Sequence, residues 1–469
     1  MVNLLETCPF VLHLKGPSKD SALQCVQLLR SLPGKRLVYQ GLWQQRAVLV
    51  KLFIDPRSAR RHWGREKAGA EALMQARVCT PALLFSGQLD EGIPILVFEF
   101  LPEAQTALEV WNNLATSDSR TDFLHQMADL LVGLHEAGLV QEDLHLENFL
   151  VSGQKIYAID GDAISVRGSG KALDLGASCS NLVTLLAQLP PQFDPLADAT
   201  TLHYAQRRNF PATQFARMTK NRLPQVRRWR RRKYVAKCYR SCSEFVRSHK
   251  RGQVAIYRRE AQGNALEQFL ADPDAFMQSG EILKDGNSST VVRVERDDID
   301  WVVKRYNIKS PWHALSRCFR PTRAWTSWGN AHRLKISGIA TPGAVALLEK
   351  RFGPLRSTGY YVSDYLEGAH AEPFLGDKNL PAALKGQVAG EFVALFKLFR
   401  KLGIVHGDCK ADNFLIRGNT LWVLDLDAMH ECFFAARSKS LYRVDRQRFL
   451  NNWQAQPGWL RWFDEQLDR

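Results

Sequence analysis

The sequence predicts an α+β fold that occurs twice in the chain, with a small antiparallel sheet lobe and a helical lobe in each copy. Residues 134–162 (LHEAGLVQEDLHLENFLVSGQKIYAIDGD) align without a gap to residues 399–427 (FRKLGIVHGDCKADNFLIRGNTLWVLDLD). A match that keeps its register over a loop, a strand, a turn and a second strand indicates two copies of one structural unit. In each copy the predicted strands come first and the helices follow, which is an α+β arrangement.

The region before the repeated segment predicts the sheet of each copy. A valine-rich strand ends at Lys51 in the first copy and at Lys304 in the second. A helical stretch follows, then Thr80-Pro81 or Thr341-Pro342, and then another apolar strand. Runs of β-branched residues bounded by turn residues are typical of strands. We expect a five-stranded sheet in each copy.

An amphipathic helix precedes the repeated segment in both copies. Apolar residues recur at i, i+3 and i+4, which is the period of a helix that buries one face. The predicted buried faces consist of Phe123, Met127, Leu130, Leu131 and Leu134 in the first copy, and of Phe392, Leu395, Phe396 and Phe399 in the second.

A change of composition predicts the domain boundaries. We expect an N-terminal extension over residues 1–30, a first domain over 31–203, a basic helical segment or linker over 204–262, and a second domain over 263–469. The run from Arg227 to Lys233 is interpreted first as a solvated helical face and second as a patch for a membrane or a phosphoglycan. Nucleic acid is the weakest alternative, because no nucleic-acid-binding motif accompanies the run.

Composition and charge narrow the class of protein. Hydrophobic residues make up 45% of the 469 residues and charged residues 24%, which is typical of a globular protein. No apolar run is long enough for a transmembrane helix, and the first residues do not resemble a signal peptide, so a cytoplasmic location is expected. The nine cysteines are scattered without a CxxC pair, which predicts neither disulfides nor structural zinc. The net charge of +15 predicts an anionic partner: a nucleotide, a phosphorylated glycolipid, a membrane surface or nucleic acid.

Three polar residues keep the same spacing in both copies. An aspartate is followed five residues later by an asparagine and then, twelve residues further, by a second aspartate at a strand end. This is the pattern of the protein-kinase catalytic core, in which catalysis consists mainly of positioning and neutralising a charged phosphoryl group. It predicts two tandem protein-kinase-like bilobal domains that use ATP and Mg²⁺. The residues are Asp143, Asn148 and Asp160 in the first copy, and Asp408, Asn413 and Asp425 in the second.

The pattern gives each residue type a role. We expect the first aspartate to orient the acceptor hydroxyl and take its proton, and the asparagine and second aspartate to hold magnesium. Lys51 and Lys304 are expected to grip the α- and β-phosphates, and Lys410 to contact the γ-phosphate. Asp162 and Asp427, two residues after the metal-binding aspartates, are interpreted as caps of the next turn.

The two copies differ around the nucleotide. Glu66, fifteen residues after Lys51, is expected to hold that lysine, whereas the counterpart position in the second copy is Ser327 and its helix has no glutamate. A loop over residues 39–43 is predicted to cover the nucleotide in the first copy. In the second copy the phosphate cradle is predicted at residues 284–290, with backbone amides and hydroxyls of Gly286, Asn287, Ser288 and Ser289. Which copy transfers phosphate stays open, and a catalytic copy beside a regulatory one is a stated alternative.

The chain also departs from ordinary protein kinases. The loop histidine is replaced by Gln141 in the first copy, and the loop arginine by Glu142 or Gly407. Neither metal-binding aspartate is followed by a Phe-Gly pair or by an Ala-Pro-Glu element. Short activation segments argue against an extended peptide substrate and favour a small or glycan acceptor.

The loop Leu144-His145-Leu146-Glu147-Asn148 and the strand Ile159-Asp160-Gly161-Asp162 resemble the bacterial lipopolysaccharide kinase family, which includes the Kdo and core-heptose kinases. The resemblance covers roughly residues 35–190 and 275–435. It implies ATP-dependent phosphorylation of an inner-core sugar of lipopolysaccharide at the cytoplasmic face of the inner membrane. An anionic glycolipid or phosphosugar would be the acceptor, with peripheral membrane contact through the basic segment 217–251.

Two alternatives remain open at this point. One is a pseudokinase scaffold that binds a nucleotide or a partner without transferring phosphate. The other is an atypical protein kinase with an unusual helical lobe.

Overall fold

The computed structural model describes residues 8–14, 21–32, 34–89, 92–167, 170–250, 252–296, 298–307, 320–432 and 435–468. The chain divides into two compact units, residues 1–227 and residues 228–469. Both are mixed α+β, and the main sheet of each is antiparallel. The α+β class is therefore confirmed.

The first unit opens with a six-stranded sheet in the order β1-β2-β3-β4-β6-β5. Its strands are β1 Phe10–Leu14, β2 Ser21–Leu32, β3 Arg36–Trp43, β4 Arg46–Phe53, β5 Leu83–Gln88 and β6 Pro94–Glu99. The helix α1 Ala59–Gln75 connects β4 to β5. The helical part contains α2 Ala107–Asn113, α3 Ser117–Glu136, α4 Leu175–Leu186, α5 Asp194–Arg207 and the first part of α6 Ala212–Lys237. Short strands β7 Gln105–Thr106, β8 Leu139–Gln141, β9 Phe149–Ser152, β10 Lys155–Ala158 and β11 Ile164–Val166 carry the repeated segment.

The second unit has a seven-stranded sheet in the order β12-β13-β17-β18-β16-β15-β14. Its strands are β12 Phe245–Lys250, β13 Gln253–Arg258, β14 Glu281–Gly286, β15 Ser289–Arg296, β16 Ile299–Tyr306, β17 Ala344–Phe352 and β18 Leu355–Asp364. Helices α7 Asn264–Ala271 and α8 Pro273–Gln278 precede β14, and α9 Arg323–Ile336 precedes β17. The rest comprises β19 Ala369–His370, α10 Ala371–Gly376, α11 Ala382–Leu402, β20 Ile404–Val405, β21 Phe414–Arg417, β22 Thr420–Val423, β23 His430–Glu431, α12 Ala435–Asn451 and α13 Pro457–Asp468.

The expectation of five strands per sheet is wrong in both units. In the first sheet the additional strand is β1, which pairs with β2. In the second sheet the hairpin β12–β13 adds to the edge at β17. Both additions come from residues that look like an extension or a basic linker, because a strand at a sheet edge can keep polar residues on its exposed face.

Alternation along the strands places each predicted lysine toward the helical side of its sheet. Val48, Val50 and Leu52 of β4 are fully buried in one core cluster, whereas Phe53 belongs to a second cluster beside α1. Successive side chains point to opposite faces of a strand, so Lys51 lies on the face of Phe53.

The predicted amphipathic helices are confirmed. Four of the five predicted residues of α3 are buried and the fifth, Leu130, is half-buried against the same cluster. All four predicted residues of α11 are buried. Each helix ends next to a glycine in the left-handed region, Gly138 (φ 72°) or Gly403 (φ 66°), which explains why glycine occupies this position in both copies.

The basic run on α6 is not a uniformly solvated face. Arg227 and Arg231 are buried, and each contacts a carboxylate: Arg227 Nη1 lies 2.6 Å from Asp194 Oδ1, and Arg231 binds Glu431. The prediction is therefore wrong for these two arginines, because their acidic partners are distant in the sequence. No helix within the described ranges is both long and apolar enough to cross a bilayer.

Candidate active site

The repeated segment builds the same loop in both units. Asn148 Nδ2 donates to Asp143 O at 2.9 Å and to its Oδ2 at 3.2 Å. Asn413 Nδ2 donates to Asp408 O at 2.8 Å and to its Oδ2 at 3.4 Å. The five-residue spacing thus lets the asparagine close the loop and orient the aspartate.

The asparagine backbone also fixes the strand that carries the second aspartate. Ile159 N donates to Asn148 O at 3.0 Å, and Leu424 N donates to Asn413 O at 2.8 Å. The next residue in each unit, Asp160 (φ 69°) or Asp425 (φ 50°), has a left-handed backbone. A non-glycine residue rarely adopts this conformation, and such residues concentrate at functional sites.

Gln141 replaces the loop histidine and makes the same two contacts. In the second unit Asp408 N donates to His406 Nδ1 at 3.3 Å, so His406 Nε2 carries the proton and donates to Leu424 O at 3.0 Å. In the first unit Asp143 N donates to Gln141 Oε1 at 3.4 Å, and Gln141 Nε2 donates to Ile159 O at 3.4 Å. Burial lowers the pKa of His406, which keeps it neutral for this bridge.

Asp445 on α12 is a residue that the sequence prediction missed. It is buried, and its carboxylate accepts hydrogen bonds from His406 N at 2.8 Å and Gly407 N at 3.1 Å. An aspartate on the buried face of a helix was the available signal, but nothing in the spacing connects it to a loop 38 residues earlier.

Four charged groups meet in the first unit. Lys51 Nζ binds Glu66 Oε1, and Arg36 Nη1 lies 3.3 Å from Glu66 Oε2 and 3.7 Å from Asp160 Oδ1. The predicted pairing of Lys51 with Glu66 is thus present as a contact. Arg36 was not predicted.

The carboxylates of this cluster have opposite pKa shifts. Burial would raise the pKa of Glu66, but Lys51, a hydrogen bond with Asp160 and Arg36 together hold it at about 2. Burial and then the charge of Glu66 raise the pKa of Asp160 to about 6. Glu66 is therefore charged at neutral pH, and Asp160 is the group that takes up a proton first.

Residues 39–43 do not form a nucleotide loop. They lie in β3, and Gly41 is a glycine there because an added Cβ would stand 2.7 Å from Gln24 O of β2. Val38 pairs with Lys51 in the first sheet as Val291 pairs with Lys304 in the second, so the counterpart of the β14–β15 turn is the β2–β3 turn just before Arg36. A single glycine in an alternating strand was misread as a loop glycine.

In the second unit four of the predicted residues line one cavity of about 550 Å³, whereas Asp408, Lys410 and residues 286–288 are not among its lining residues. Ser289, Lys304, Asn413 and Asp425 all line it. The turn Gly286–Ser288 stands beside Ser289 and is held by Asn307, whose Nδ2 donates to Gly286 O at 3.0 Å and whose N donates to Ser288 O at 3.1 Å. Lys284, the first residue of the predicted phosphate cradle, also lines the cavity. So do residues without a predicted role at the site, namely Tyr306, Thr341, Ser363, Asp364, Tyr365, Leu366 and His370.

Lys304 contacts Asp425, the aspartate predicted to hold magnesium in its own unit. Its Nζ lies 2.6 Å from Asp425 Oδ1 and 3.6 Å from Asp427 Oδ2. Burial would raise the pKa of Asp425, but the charge and hydrogen bond of Lys304 lower it below its usual value. Burial, assisted by the charge of Asp425, raises the pKa of Asp427.

Asp143 and Asp408, the aspartates predicted to be catalytic, are more accessible than these buried groups. The Asp143 side chain is 56% exposed and its Oδ1 lies 3.3 Å from His145 Nε2. The Asp408 side chain is 34% exposed and its Oδ1 lies 3.6 Å from Lys410 Nζ. An aspartate that must meet an incoming acceptor needs this exposure.

The residue at the Glu66 position in the second unit, Ser327, is hydrogen-bonded to a group other than Lys304, and so is Asn330 on the same helix. The Ser327 hydroxyl shares a 2.8 Å hydrogen bond with the Tyr306 hydroxyl. Asn330 Nδ2 donates to Leu426 O at 2.8 Å and to Met429 O at 2.7 Å, so it holds the segment after Asp425.

Comparison with known proteins agrees with this geometry for the second unit. No curated protein matches the chain. One family model matches residues 273–457, a range that includes Lys304, Asp408, Asn413 and Asp425. This part of the chain is therefore similar to the lipopolysaccharide kinase (Kdo/WaaP) family, as the resemblance predicts for residues 275–435. The matched range does not include residues 144–148 and 159–162, whose motifs suggested the family.

Proposed function

We propose that the protein is an ATP- and Mg²⁺-dependent kinase that phosphorylates a sugar hydroxyl of the lipopolysaccharide inner core. The observation that carries this proposal is the convergence of Ser289, Lys304, Asn413 and Asp425 on one cavity of the second unit. The family match over residues 273–457 supports a lipopolysaccharide kinase. The cavity volume is in the range of sites for small molecules and cofactors.

The side chains present fit a magnesium ion. Magnesium prefers oxygen ligands, and Asp425 supplies a carboxylate beside the cavity. Both hydrogen bonds of the Asn413 side chain to Asp408 use its amide nitrogen, which directs the amide oxygen elsewhere. Asp425 and Asn413 would hold the ion, and the ion would neutralise phosphate charge.

Each remaining residue has a defined task in transfer. Lys304 would hold the phosphate chain, with the turn before Ser289 covering it. Asp408, oriented by Asn413, would accept the proton of the sugar hydroxyl as that oxygen attacks the γ-phosphorus. The bond from the γ-phosphorus to the bridging oxygen would break, and ADP would leave. The exposed ammonium of Lys410, next to Asp408, would approach the γ-phosphate.

We further propose that the first unit is a second copy of the protein-kinase-like fold. The bridge made by Gln141 in one unit and by His406 in the other supports this, as do the matching asparagine contacts. Lys51, Asp143, Asn148 and Asp160 would then be the nucleotide-site residues of the first copy, with Glu66 holding Lys51.

One observation favours a regulatory, non-transferring role for the first copy. Arg36 lies where Ser289 lies in the second unit, and its guanidinium approaches Asp160 within 3.7 Å. A cation in that place offsets the carboxylate charge that would otherwise attract magnesium. The second copy is therefore our candidate for the transferring one.

The acceptor is proposed to be an anionic glycolipid presented at the cytoplasmic face of the inner membrane. The net charge of +15 and the basic segment 217–251 support contact with such a surface.

The experiment offers labelled ATP and Mg²⁺ to the purified full chain with lipopolysaccharide core oligosaccharide or with a protein mixture. We expect label in the sugar, lost in Asp408→Asn and retained in Asp143→Asn. Glu391→Gln, an exposed charge removal on α11, is the control and should leave transfer unchanged.

Other outcomes separate the alternatives. Label in protein alone would indicate an atypical protein kinase. Nucleotide binding without transfer to any acceptor would indicate a pseudokinase. Loss of transfer in Asp143→Asn but not in Asp408→Asn would reverse the assignment of the two copies.

A further inference from the structure

We propose that Asp427 is the positioning residue for Lys304 in the second unit, in the place of the helical glutamate that the first unit uses. The inference rests on the function proposed above for the cavity of the second unit. It concerns which carboxylate keeps the lysine aimed at the phosphates once a nucleotide has entered.

The helix beside the cleft cannot supply this carboxylate. Helix α9, Arg323–Ile336, has the sequence RAWTSWGNAHRLKI, which contains no aspartate or glutamate. Ser327 of this helix lines the cavity and is hydrogen-bonded to Tyr306. Asn330 is hydrogen-bonded to the backbone carbonyls of Leu426 and Met429. A flexible lysine without a carboxylate partner would lose its fixed direction.

Asp427 is the carboxylate that stays available when a nucleotide binds. Lys304 Nζ lies 2.6 Å from Asp425 Oδ1 and 3.6 Å from Asp427 Oδ2, and all three side chains are largely buried. Engagement of Asp425 with a magnesium ion would remove the shorter contact. Asp427 then remains to pair with Lys304, in a partly buried place where an ion pair is screened less by water.

The first unit shows the opposite arrangement at the equivalent positions. There Lys51 binds Glu66 of the helix, and Asp162, the counterpart of Asp427, contacts Arg65 and His62 of the same helix. Asp162 lies 2.9 Å from Arg65 Nε and 3.1 Å from His62 Nδ1.

In the second unit, helix α9 also lies close to the carboxylate after the strand end, but the side chain that approaches it is a cation. Arg323 Nη1 lies 3.9 Å from Asp427 Oδ2. The helix and the strand end have therefore exchanged roles: the strand end carries the carboxylate for the lysine, and the helix carries a cation that fixes this carboxylate.

Nucleotide affinity with and without magnesium tests this assignment in the full chain. We use Mg²⁺–ATP and ATP with chelator as probes, with Lys51→Ala present throughout so that the first unit contributes little binding. Asp427→Asn should weaken the binding of Mg²⁺–ATP about tenfold or more, because the charge-assisted contact to the lysine is lost when magnesium engages Asp425. It should weaken binding with chelator less, because Asp425 can then still pair with Lys304. Asp425→Asn should weaken only the binding that depends on magnesium.

Three further variants protect the test from a folding defect. Asp427→Glu keeps the carboxylate and should bind ATP within about threefold of the parent. Ser327→Glu places a carboxylate at the position of Glu66 and should restore part of the affinity lost in Asp427→Asn. Ser327→Gln, of the same size without the charge, should not restore it.

Several results would overturn the inference. Unchanged ATP affinity in Asp427→Asn, with transfer still lost in Asp408→Asn, would reject Asp427 while leaving the proposed function intact. Failure of Ser327→Glu to restore Mg²⁺–ATP binding to Asp427→Asn, together with a higher magnesium concentration needed for binding, would make Asp427 a metal ligand instead. Failure of the parent chain to bind or transfer from ATP would reject the function itself.

Discussion

Single residues show how different side chains can fill one position of the site. Gln141 and His406 each have an acceptor and a donor at similar separations. Gln141 can therefore bridge Asp143 N to Ile159 O, as His406 bridges Asp408 N to Leu424 O. The loss of the loop histidine in the first copy therefore does not remove the bridge. The hydrogen-bond pattern, and not the residue type, is what the loop requires.

His332 of the second unit leads to a prediction about pH. It is buried among Trp328, Phe245 and Tyr234, and its Nε2 has no hydrogen-bond partner within the described part of the chain. Burial, with smaller contributions from the charges of Lys335 and Arg258, lowers its pKa from 6.5 to about 3. The pKa of His332 is lower in the folded than in the unfolded chain. The contribution of the neutral imidazole to the free energy of unfolding is therefore fully present above pH 6.5 and is lost as the pH falls toward 3.

His332→Phe should remove this dependence, since phenylalanine fills the aromatic pocket without a titratable group. Between pH 7.5 and 5 the free energy of unfolding of the variant should fall by about 2 kcal/mol less than that of the parent. Denaturant unfolding followed by tryptophan fluorescence at the two pH values measures the difference. An identical pH dependence in parent and variant would contradict the assignment.

At the scale of elements, the close contact of α1 with the segment after Asp160 determines the geometry of the charged cluster in the first unit. A Cβ on Gly69 would overlap the carbonyl oxygen of Gly161, so the helix approaches this segment only because glycine stands at both places. This approach is what brings Glu66 within reach of Lys51 and Asp160.

Gly69→Ala should therefore push α1 outward and separate Glu66 from Lys51. We expect a loss of about 1–3 kcal/mol in the free energy of unfolding, together with weaker ATP binding by the first unit in a Lys304→Ala background. Gly64→Ala on the same helix is the matched control. Nothing lies within 4 Å of its added Cβ, so helix propensity should make it neutral or stabilising by about 0.5–1 kcal/mol. Equal effects of the two substitutions would contradict the packing argument.

The basic helix α6 also shows an effect of element packing. Its buried face carries Arg227 and Arg231, and each is neutralised by a carboxylate that comes from another element. Arg231 Nη2 also donates to Leu402 O at 3.1 Å. These two arginines are structural, so only the exposed cations of the helix remain as candidates for contact with a partner.

At the scale of the whole molecule, the charge of +15 leads to a prediction about membranes. The full chain should bind vesicles containing anionic lipid at low salt, and much more weakly at 0.3 M salt, because the Debye length shortens. Zwitterionic vesicles should not bind it. Co-sedimentation of the protein with each kind of vesicle, at low salt and at 0.3 M salt, measures these differences in binding.

A set of four substitutions locates the contact. Replacing the exposed Arg217, Lys220, Lys233 and Arg240 by glutamine should weaken anionic-vesicle binding by at least tenfold. Replacing the exposed Arg60, Arg61, Lys397 and Arg461 removes the same charge elsewhere and should have a smaller effect. Equal losses in both sets would mean that net charge alone, and not the basic segment, attracts the protein.

The sequence by itself determined the α+β class, the two amphipathic helices and the resemblance to lipopolysaccharide kinases over the second unit. Period and spacing are local properties, and a loop such as Asp408 to Asn413 closes on itself through contacts five residues apart. Such features can be predicted because all the interacting groups lie within one short segment.

Only the tertiary structure decided which carboxylate meets which cation. Arg36 beside Asp160 and Asp427 beside Lys304 join residues far apart in the chain, as does the hydrogen bond that His406 N donates to Asp445. The same holds for the edge strands and for the burial of Arg227 and Arg231. A buried charge must find a partner of opposite sign wherever the fold brings one near, and no spacing rule in the sequence encodes that meeting.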